Sequence, residues 1–266
     1  MRSNKLREML KQGKATIGTH VHSIWPGIVE VIGHAGTMDY VEFLAEYAPY
    51  TLHDLENWAR AVDLFEMSSM IKVDQANQTF VAQKAIRSGI QNVLFVDART
   101  AQDVRSSVHA VRADTPSTKG LTGCTDGRNS GWVLEGGSPA YVKALEDVVV
   151  GVMIEKKSAL DEIEEICEIE GLDMLQFGPC DFSMSMDKPG KGKDADVREA
   201  ERKMIRAALK AKKAARVEVD PWNLDQCKAY MDIGVKHFSI GWEMQIIFDW
   251  VKEKGGLLKD ELSKRF

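Results

Sequence analysis

Val148-Val149-Val150-Gly151-Val152-Met153-Ile154-Glu155 and, further along, Met174-Leu175-Gln176-Phe177-Gly178-Pro179-Cys180-Asp181-Phe182-Ser183 decide how this chain is read. The first is an unbroken apolar run that ends on a carboxylate. Such a run, rich in β-branched residues, reads as a strand buried on both faces, as in a parallel sheet. The second is a shorter apolar run stopped by Gly-Pro. Between them Ser158–Glu168 reads as a helix, so the pair forms one strand–helix–strand unit.

The same alternation extends in both directions. Strands are expected at 16–22, Tyr40–Leu44, Met70–Val73, Asn92–Val96, Arg216–Val219 and Phe238–Ile240. Helices are expected at Pro26–Ile32, with proline in the first turn, and at Leu52–Phe65, Phe80–Ser88, Ala101–Arg112, Tyr141–Leu145, Asp196–Lys213, Leu224–Ile233 and Met244–Lys254. The βα repeat predicts a single α/β domain over residues 1–266, a (β/α)8 TIM barrel with parallel strands. A doubly wound open sheet is the other parallel architecture. It usually carries a glycine-rich first turn, and none follows residues 16–22. One long irregular stretch, from Ala113 to about Gly137, holds Pro116, Cys124, Trp132 and the glycines 120, 123, 127, 131 and 136. Its length marks it as a loop able to cover a site or meet a neighbouring subunit.

Composition excludes several classes. The chain has 266 residues, 44% hydrophobic and 28% charged, with a formal net charge of −5. No basic stripe suggests nucleic acid. Lys203–Lys213 reads as the solvated face of a helix, with Met204, Ile205, Ala208 and Leu209 turned inward. The four cysteines, Cys124, Cys167, Cys180 and Cys227, show no CxxC spacing. No apolar run approaches the ~18 residues of a membrane span, and the first residues lack the apolar core of a signal peptide. A cytoplasmic protein without membrane or nucleic-acid partners is expected.

In a parallel barrel, catalytic groups sit at the C-terminal ends of strands. Glu155 and Asp181 lie 26 residues apart, one βα unit, so both carboxylates are expected at one rim on adjacent strands. Two carboxylates with open positions suit Mg²⁺ or Mn²⁺, and Co²⁺ is not excluded. The alternative is a rim salt bridge for Glu155 and a turn cap for Asp181. Gly178 lets backbone amides approach a ligand beside them. His20 and His22 alternate along the first strand and share a face. His34, His53, His109 and His237 read as structural.

At this point the chain resembles the HpcH/HpaI-type class II 2-oxoacid aldolases, which include 4-hydroxy-2-oxoheptanedioate and 2-dehydro-3-deoxyglucarate aldolases. The matching pieces are Ile17-Gly18, His34-Ala35-Gly36 before Met38-Asp39-Tyr40, Glu46-Tyr47-Ala48-Pro49, Val150 to Glu155, and Glu170-Gly171-Leu172-Asp173 leading to Gly178-Pro179-Cys180-Asp181-Phe182-Ser183. They span about residues 5–250. The resemblance implies a divalent metal on Glu155 and Asp181 and a pyruvate-like carboxylate near Pro179, Cys180 and Asp181, with Gly178 beside it in the substrate-binding turn. It also implies homo-oligomers, hexamers or trimers, with an exchanged C-terminal helix.

Three family positions depart from the pattern. The family's Asp-x-Glu-His-Ala reads Leu44-Ala45-Glu46-Tyr47-Ala48 here, and the arginine expected 25 residues after the histidine is Lys72. Tyr47 and Lys72 therefore stand where the resemblance places an acid/base and an enolate donor, and Glu46, just before Tyr47, is expected to position metal-bound water or neighbouring groups, or to pair with Lys72. His20 stands where an aromatic is usual and is a candidate acid/base, with His22 as a substrate donor. Burial beside a metal would lower the Lys72 pKa, which leaves a base or a Schiff-base amine open beside the cationic donor. Cys180 replaces a small residue and reads as packing or amide donation, because no base accompanies it. Trp25 and Trp242 follow the first and last strands and would line the mouth.

The expectation is a metal-dependent carbon–carbon lyase on a 2-oxoacid. A decarboxylase, dehydratase or tautomerase on the same barrel is the alternative, because the His–Asp pair that usually handles the hydroxyl proton is lost. A non-catalytic oxoacid-binding barrel is the third reading.

Overall fold

Eight parallel strands close in chain order, β1 pairing with β2 and so on around to β8, which pairs back with β1. A computed structural model describes residues 2–220 and 222–266. The elements are α1 Lys5–Lys11, β1 Thr16–Val21, α2 Pro26–Ala35, β2 Tyr40–Leu44, α3 Leu52–Val62, β3 Ser68–Val73 and α4 Gln78–Arg87. Then come β4 Asn92–Phe95, α5 Ala101–Val111, α6 Pro139–Glu146, β5 Val149–Ile154, α7 Lys157–Asp161, α8 Ile163–Cys167, β6 Met174–Phe177 and α9 Pro179–Ser185. The chain finishes with α10 Ala195–Lys210, β7 Ala214–Val219, α11 Leu224–Asp232, β8 His237–Trp242 and α12 Glu243–Arg265. The predicted barrel is the observed one.

Alternation along each strand sorts the side chains. Outward residues such as Phe43, Ile71, Val93 and Val152 join Trp58, Ala82 and Ile205 of the helices in the layer between sheet and helices. Inward residues Tyr40, Met70, Leu94, Val96, Val149 and Met153 fill the barrel together with Leu6. Gly18 makes room for this filling, since a Cβ there would stand 2.3 Å from the Tyr40 ring. Arg216 and Glu42, both fully buried, ion-pair inside the barrel. Burying a charge is costly unless it is paired.

The N-terminal rim is closed. Asn4 caps α1, Leu6 donates its N–H to Ser68 Oγ at 3.0 Å, and Arg7 grips Asp173 at 2.5 and 2.6 Å. The sequence reading assigned no element to this helix. The 113–137 stretch lies at this same rim, where Arg128 pairs with Asp63 and packs against Gly89. It runs from α5 to α6, which leads directly into β5, so it is part of the connection that returns the chain to the start of that strand. Trp132 therefore does not cover the mouth, contrary to one of the two expectations for this loop.

Two helices differ from expectation. The helix expected over Ser158–Glu168 is broken at Glu162, whose carboxylate turns away to accept the Ala101 N–H at 2.7 Å. The last helix runs 23 residues rather than stopping at Lys254, and none of its residues is buried. Ile246, Ile247, Phe248, Trp250, Val251, Leu257 and Leu258 along it are all exposed. Among the described residues, no helix is long and apolar enough to cross a membrane.

Candidate active site

The open, C-terminal mouth collects polar groups that the apolar interior excludes. Glu155 follows β5 and Gly178 follows β6, in a register where Ile154 faces Phe177. Glu155 is buried, and its Oε1 accepts the Asp97 N–H at 2.7 Å. Burial raises its carboxyl to about 7 from an ordinary 4.5, against the pull of that N–H and of the Lys72 charge. Its other oxygen lies where a side chain on residue 178 would be, because a Cβ on Gly178 would stand 2.6 Å from Oε2.

Asp181 is half exposed and sits in the first turn of α9. The sequence reading took this segment as a turn. Pro179 at the first helical position was the available signal. Asp181 stands 3.7 Å from Lys156 Nζ and close enough to Glu155 for its charge to raise that carboxyl further. Cys180 is exposed in the same turn, and its carbonyl accepts from Ser183 Oγ.

Across the mouth, Lys72 is the penultimate residue of β3, beside the segment that follows β2. Its Nζ lies 2.6 Å from Glu46 Oε2 and donates to Tyr47 Oη at 2.6 Å. The ammonium also sits 4.5 Å from the centre of the Tyr47 ring. Burial works against the charged form, yet the hydrogen bonds and charges of Glu46 and Tyr47 outweigh it and hold Lys72 above the ordinary lysine value. The expectation that burial would lower this pKa is corrected by those two partners. Partial burial pushes Tyr47 up to about 12, so its phenol keeps its proton at neutral pH.

His20 and His22 do share the inward face of β1 and its extension. His20 is buried, with Nδ1 3.2 Å from Ser239 Oγ and Nε2 3.5 Å from Glu218. His22 stacks obliquely on Trp242 at 4.8 Å and faces Tyr47 at 5.6 Å. Burial, aided by the nearby His20 and Lys72, holds His22 below the ordinary histidine value despite Glu243. Trp242 thus lines the mouth, whereas Trp25 is largely exposed.

The remaining expected structural histidine of note, His237, lies at the barrel floor with Nδ1 3.0 Å from Thr16 Oγ1. Sequence reasoning missed four charged groups at or below the site. Asp97 and Lys156 pair beside Glu155, and Glu42 pairs with Arg216 in the barrel interior. Their partners lie far apart in the chain, so no local signal announced them.

Among the described residues, no three His, Cys, Asp or Glu side chains converge as a metal-ligating cluster. Two carboxylates lie near enough at the rim for one charge to act on the other, Glu155 buried and oriented, Asp181 half exposed. That donor set, all oxygen with open positions, is the kind that a water-retaining Mg²⁺ or Mn²⁺ accepts.

Comparison with known proteins agrees with the fold. Residues 17–247 match the family described as HpcH/HpaI aldolase/citrate lyase. A 2-keto-3-deoxy-L-rhamnonate aldolase of Escherichia coli K12 is 28% identical over 261 residues, covering 97% of this chain and 94% of that protein. The crystal structure of an HpcH/HpaI aldolase from Desulfitobacterium hafniense superposes with a TM-score of 0.85 at 20% identity, covering 97% of both chains. The Mycobacterium tuberculosis protein CitE, solved with magnesium and acetoacetate, has a TM-score of 0.57 at 10% identity and 86% coverage of both.

Proposed function

The chain belongs to the HpcH/HpaI aldolase/citrate lyase family, and from that premise we propose that it is a divalent-metal-dependent carbon–carbon lyase acting on a 2-oxoacid. One observation carries the reading. The Glu155 and Asp181 carboxylates share the mouth with the Lys72–Glu46–Tyr47 group, so acidic ligands and a fixed cationic donor surround the same space.

Glu155 and Asp181 would hold the ion, Mg²⁺ or Mn²⁺ or less commonly Co²⁺. When bound, a divalent ion supplies Lewis acidity against negative charge developing on an oxoacid oxygen. The protein residues do the rest. Asp97 orients Glu155 through its N–H. Lys72, kept protonated by Glu46 and Tyr47, donates to the developing oxyanion. This is the cationic role, and a charged ammonium does not favour the Schiff-base route. Tyr47, protonated at neutral pH, is suited to delivering a proton. His22, kept neutral, is suited to receiving one, and His20 lies beside it. The backbone at Gly178, Pro179 and Cys180 borders the place for the substrate carboxylate. A retro-aldol assay that detects pyruvate, run with and without exhaustive chelation, tests the reading. Full activity after metal removal contradicts it.

A second reaction on the same site, oxoacid decarboxylation or tautomerisation, is favoured by one feature. Tyr47 and Leu44 replace the usual His–Asp pair, and a phenol that keeps its proton up to about 12 is not available as the base that takes the hydroxyl proton in aldol cleavage. Solvent-deuterium incorporation into pyruvate without cleavage of any aldol would support this version.

The working unit we propose is a homo-oligomer, a trimer or hexamer, with α12 seated on a neighbouring copy. The support is the line of exposed apolar residues along this helix, which would be costly to leave in water. Sedimentation of the full chain against a chain ending at Trp242 tests it.

A further inference from the structure

Two charged side chains beside the carboxylate pair have no part in the chemistry above. Lys156 follows Glu155 directly, and its Nζ lies 2.5 Å from Asp97 Oδ1 and 3.7 Å from Asp181 Oδ1. The Lys156 side chain is only 14% exposed, against 26% for Asp97 and 47% for Asp181. Asp97 holds a left-handed backbone with φ of 56°. Few residues other than glycine adopt it, and aspartate and asparagine are among those that do. In that conformation one residue serves two neighbours. Its N–H fixes Glu155 Oε1 at 2.7 Å, and its carboxylate holds the Lys156 ammonium.

We infer that Lys156 is a tethered cation that competes with the divalent ion for Asp181, and that Asp97 is the residue that parks it. The inference rests on the metal reading of Glu155 and Asp181. Without a cation nearby, Glu155, Asp97 and Asp181 would repel one another at a partly shielded rim. The Lys156 ammonium relieves that repulsion. It touches Asp97 closely and Asp181 at a longer distance, so Asp97 can keep it when Asp181 turns to another cation. The carboxylates stay spaced and oriented, at the cost of weaker ion binding. Asp97 limits that cost by drawing the ammonium toward itself. Both are positioning residues, because neither needs to touch substrate.

The test is calorimetric titration of the full chain with Mn²⁺ alone, without substrate. Lys156→Met is expected to bind Mn²⁺ about tenfold tighter, the scale a single nearby charge sets at such a rim. Asp97→Asn, which keeps the left-handed backbone and the N–H, is expected to bind about tenfold weaker, because the freed ammonium settles on Asp181. In the double variant that loss should vanish, leaving affinity close to that of Lys156→Met alone, whereas independent field effects would simply add. Unchanged affinity in Lys156→Met, or an Asp97→Asn loss that persists in full in the double variant, overturns the inference. Lys156→Gln replaces the methionine variant if circular dichroism shows the latter unfolded. Glu155→Gln separates the two layers of argument. A wild type that takes up no Mn²⁺, or a Glu155→Gln protein that binds as well as wild type, overturns the metal reading and this inference with it. Tight wild-type binding through Glu155 with an indifferent Lys156 overturns the inference alone.

Discussion

The space beside Gly178 belongs to Glu155. A Cβ at position 178 would stand 2.6 Å from Glu155 Oε2 and 2.8 Å from its Cβ, and 3.0 Å from Met153 Cε. The Gly-Pro pair therefore sets the carboxylate's position as well as starting α9. Gly178→Ala should displace the Glu155 carboxylate and weaken divalent-ion affinity by about 10–100-fold, as losses of supporting contacts around metal ligands do. Titration with Mn²⁺ measures it, and an unchanged affinity would remove this role from Gly178.

Lys72 and Tyr47 form one hydrogen-bonded unit, and each is expected to matter differently. Tyr47→Phe should lower kcat by about a hundredfold or more, the loss typical of a proton donor, while ion binding is unchanged. Lys72→Met should cost about 100–1,000-fold in kcat, as removal of an oxyanion donor does. Steady-state kinetics on the cleaved or decarboxylated oxoacid check both. A Tyr47→Phe enzyme of full activity would move the proton transfer to His22 or His20.

Glu155 couples ion binding to pH. Its carboxyl is raised to about 7 by burial, against an unfolded value near 4.5. A raised acid stabilises the fold fully below 4.5, and that stability is lost as pH climbs through 7. The metal-free protein should therefore lose about 3 kcal/mol from this group between pH 4.5 and 7. A divalent ion offsets the loss, so the melting-temperature gain from Mn²⁺ should be small at pH 5 and large at pH 7.5. Glu155→Gln should abolish that pH dependence.

His237 acts in the opposite direction. Burial beside Thr16 pushes it down to about 4 from 6.5, so the folded state resists a proton that the unfolded chain accepts. Its contribution is complete above pH 6.5 and is lost as pH falls toward 4, by about 3 kcal/mol. His237→Phe should flatten this part of a denaturant-midpoint profile against pH. An unchanged slope would assign acid sensitivity elsewhere.

The Glu42–Arg216 pair gives a stability test that does not involve the ion. Glu42→Leu alone leaves a fully buried guanidinium without its partner and should cost about 3–5 kcal/mol. Glu42→Leu with Arg216→Met should recover most of it, because two apolar groups leave no orphaned charge. Urea unfolding of the three proteins decides the point.

How much of this was legible in the sequence follows from how local each signal is. The apolar run ending at Glu155 and the stop at Gly178-Pro179 are local, and they carried both the barrel and the carboxylate pair. Tyr47 and Lys72 were singled out by the family resemblance, which puts an arginine 25 residues after a histidine at these two positions. The helix at Lys5–Lys11 escaped because seven residues with one buried side chain make a weak period. Glu162 broke a regular helical pattern because its partner, the Ala101 N–H, lies 61 residues away. Asp97 with Lys156, and Glu42 with Arg216, are likewise matters of tertiary neighbours. The 113–137 loop was legible in length but not in place, although its position in the return from α5 through α6 to β5 assigns it to the closed rim.

The most direct measurement is a crystal structure soaked with Mn²⁺ and oxalate, phased for anomalous signal from the ion. A single peak about 2.1 Å from one oxygen of Glu155 and one of Asp181, with oxalate facing Lys72 and Tyr47, is the expected result. A peak elsewhere, or none at a saturating concentration, would contradict the account.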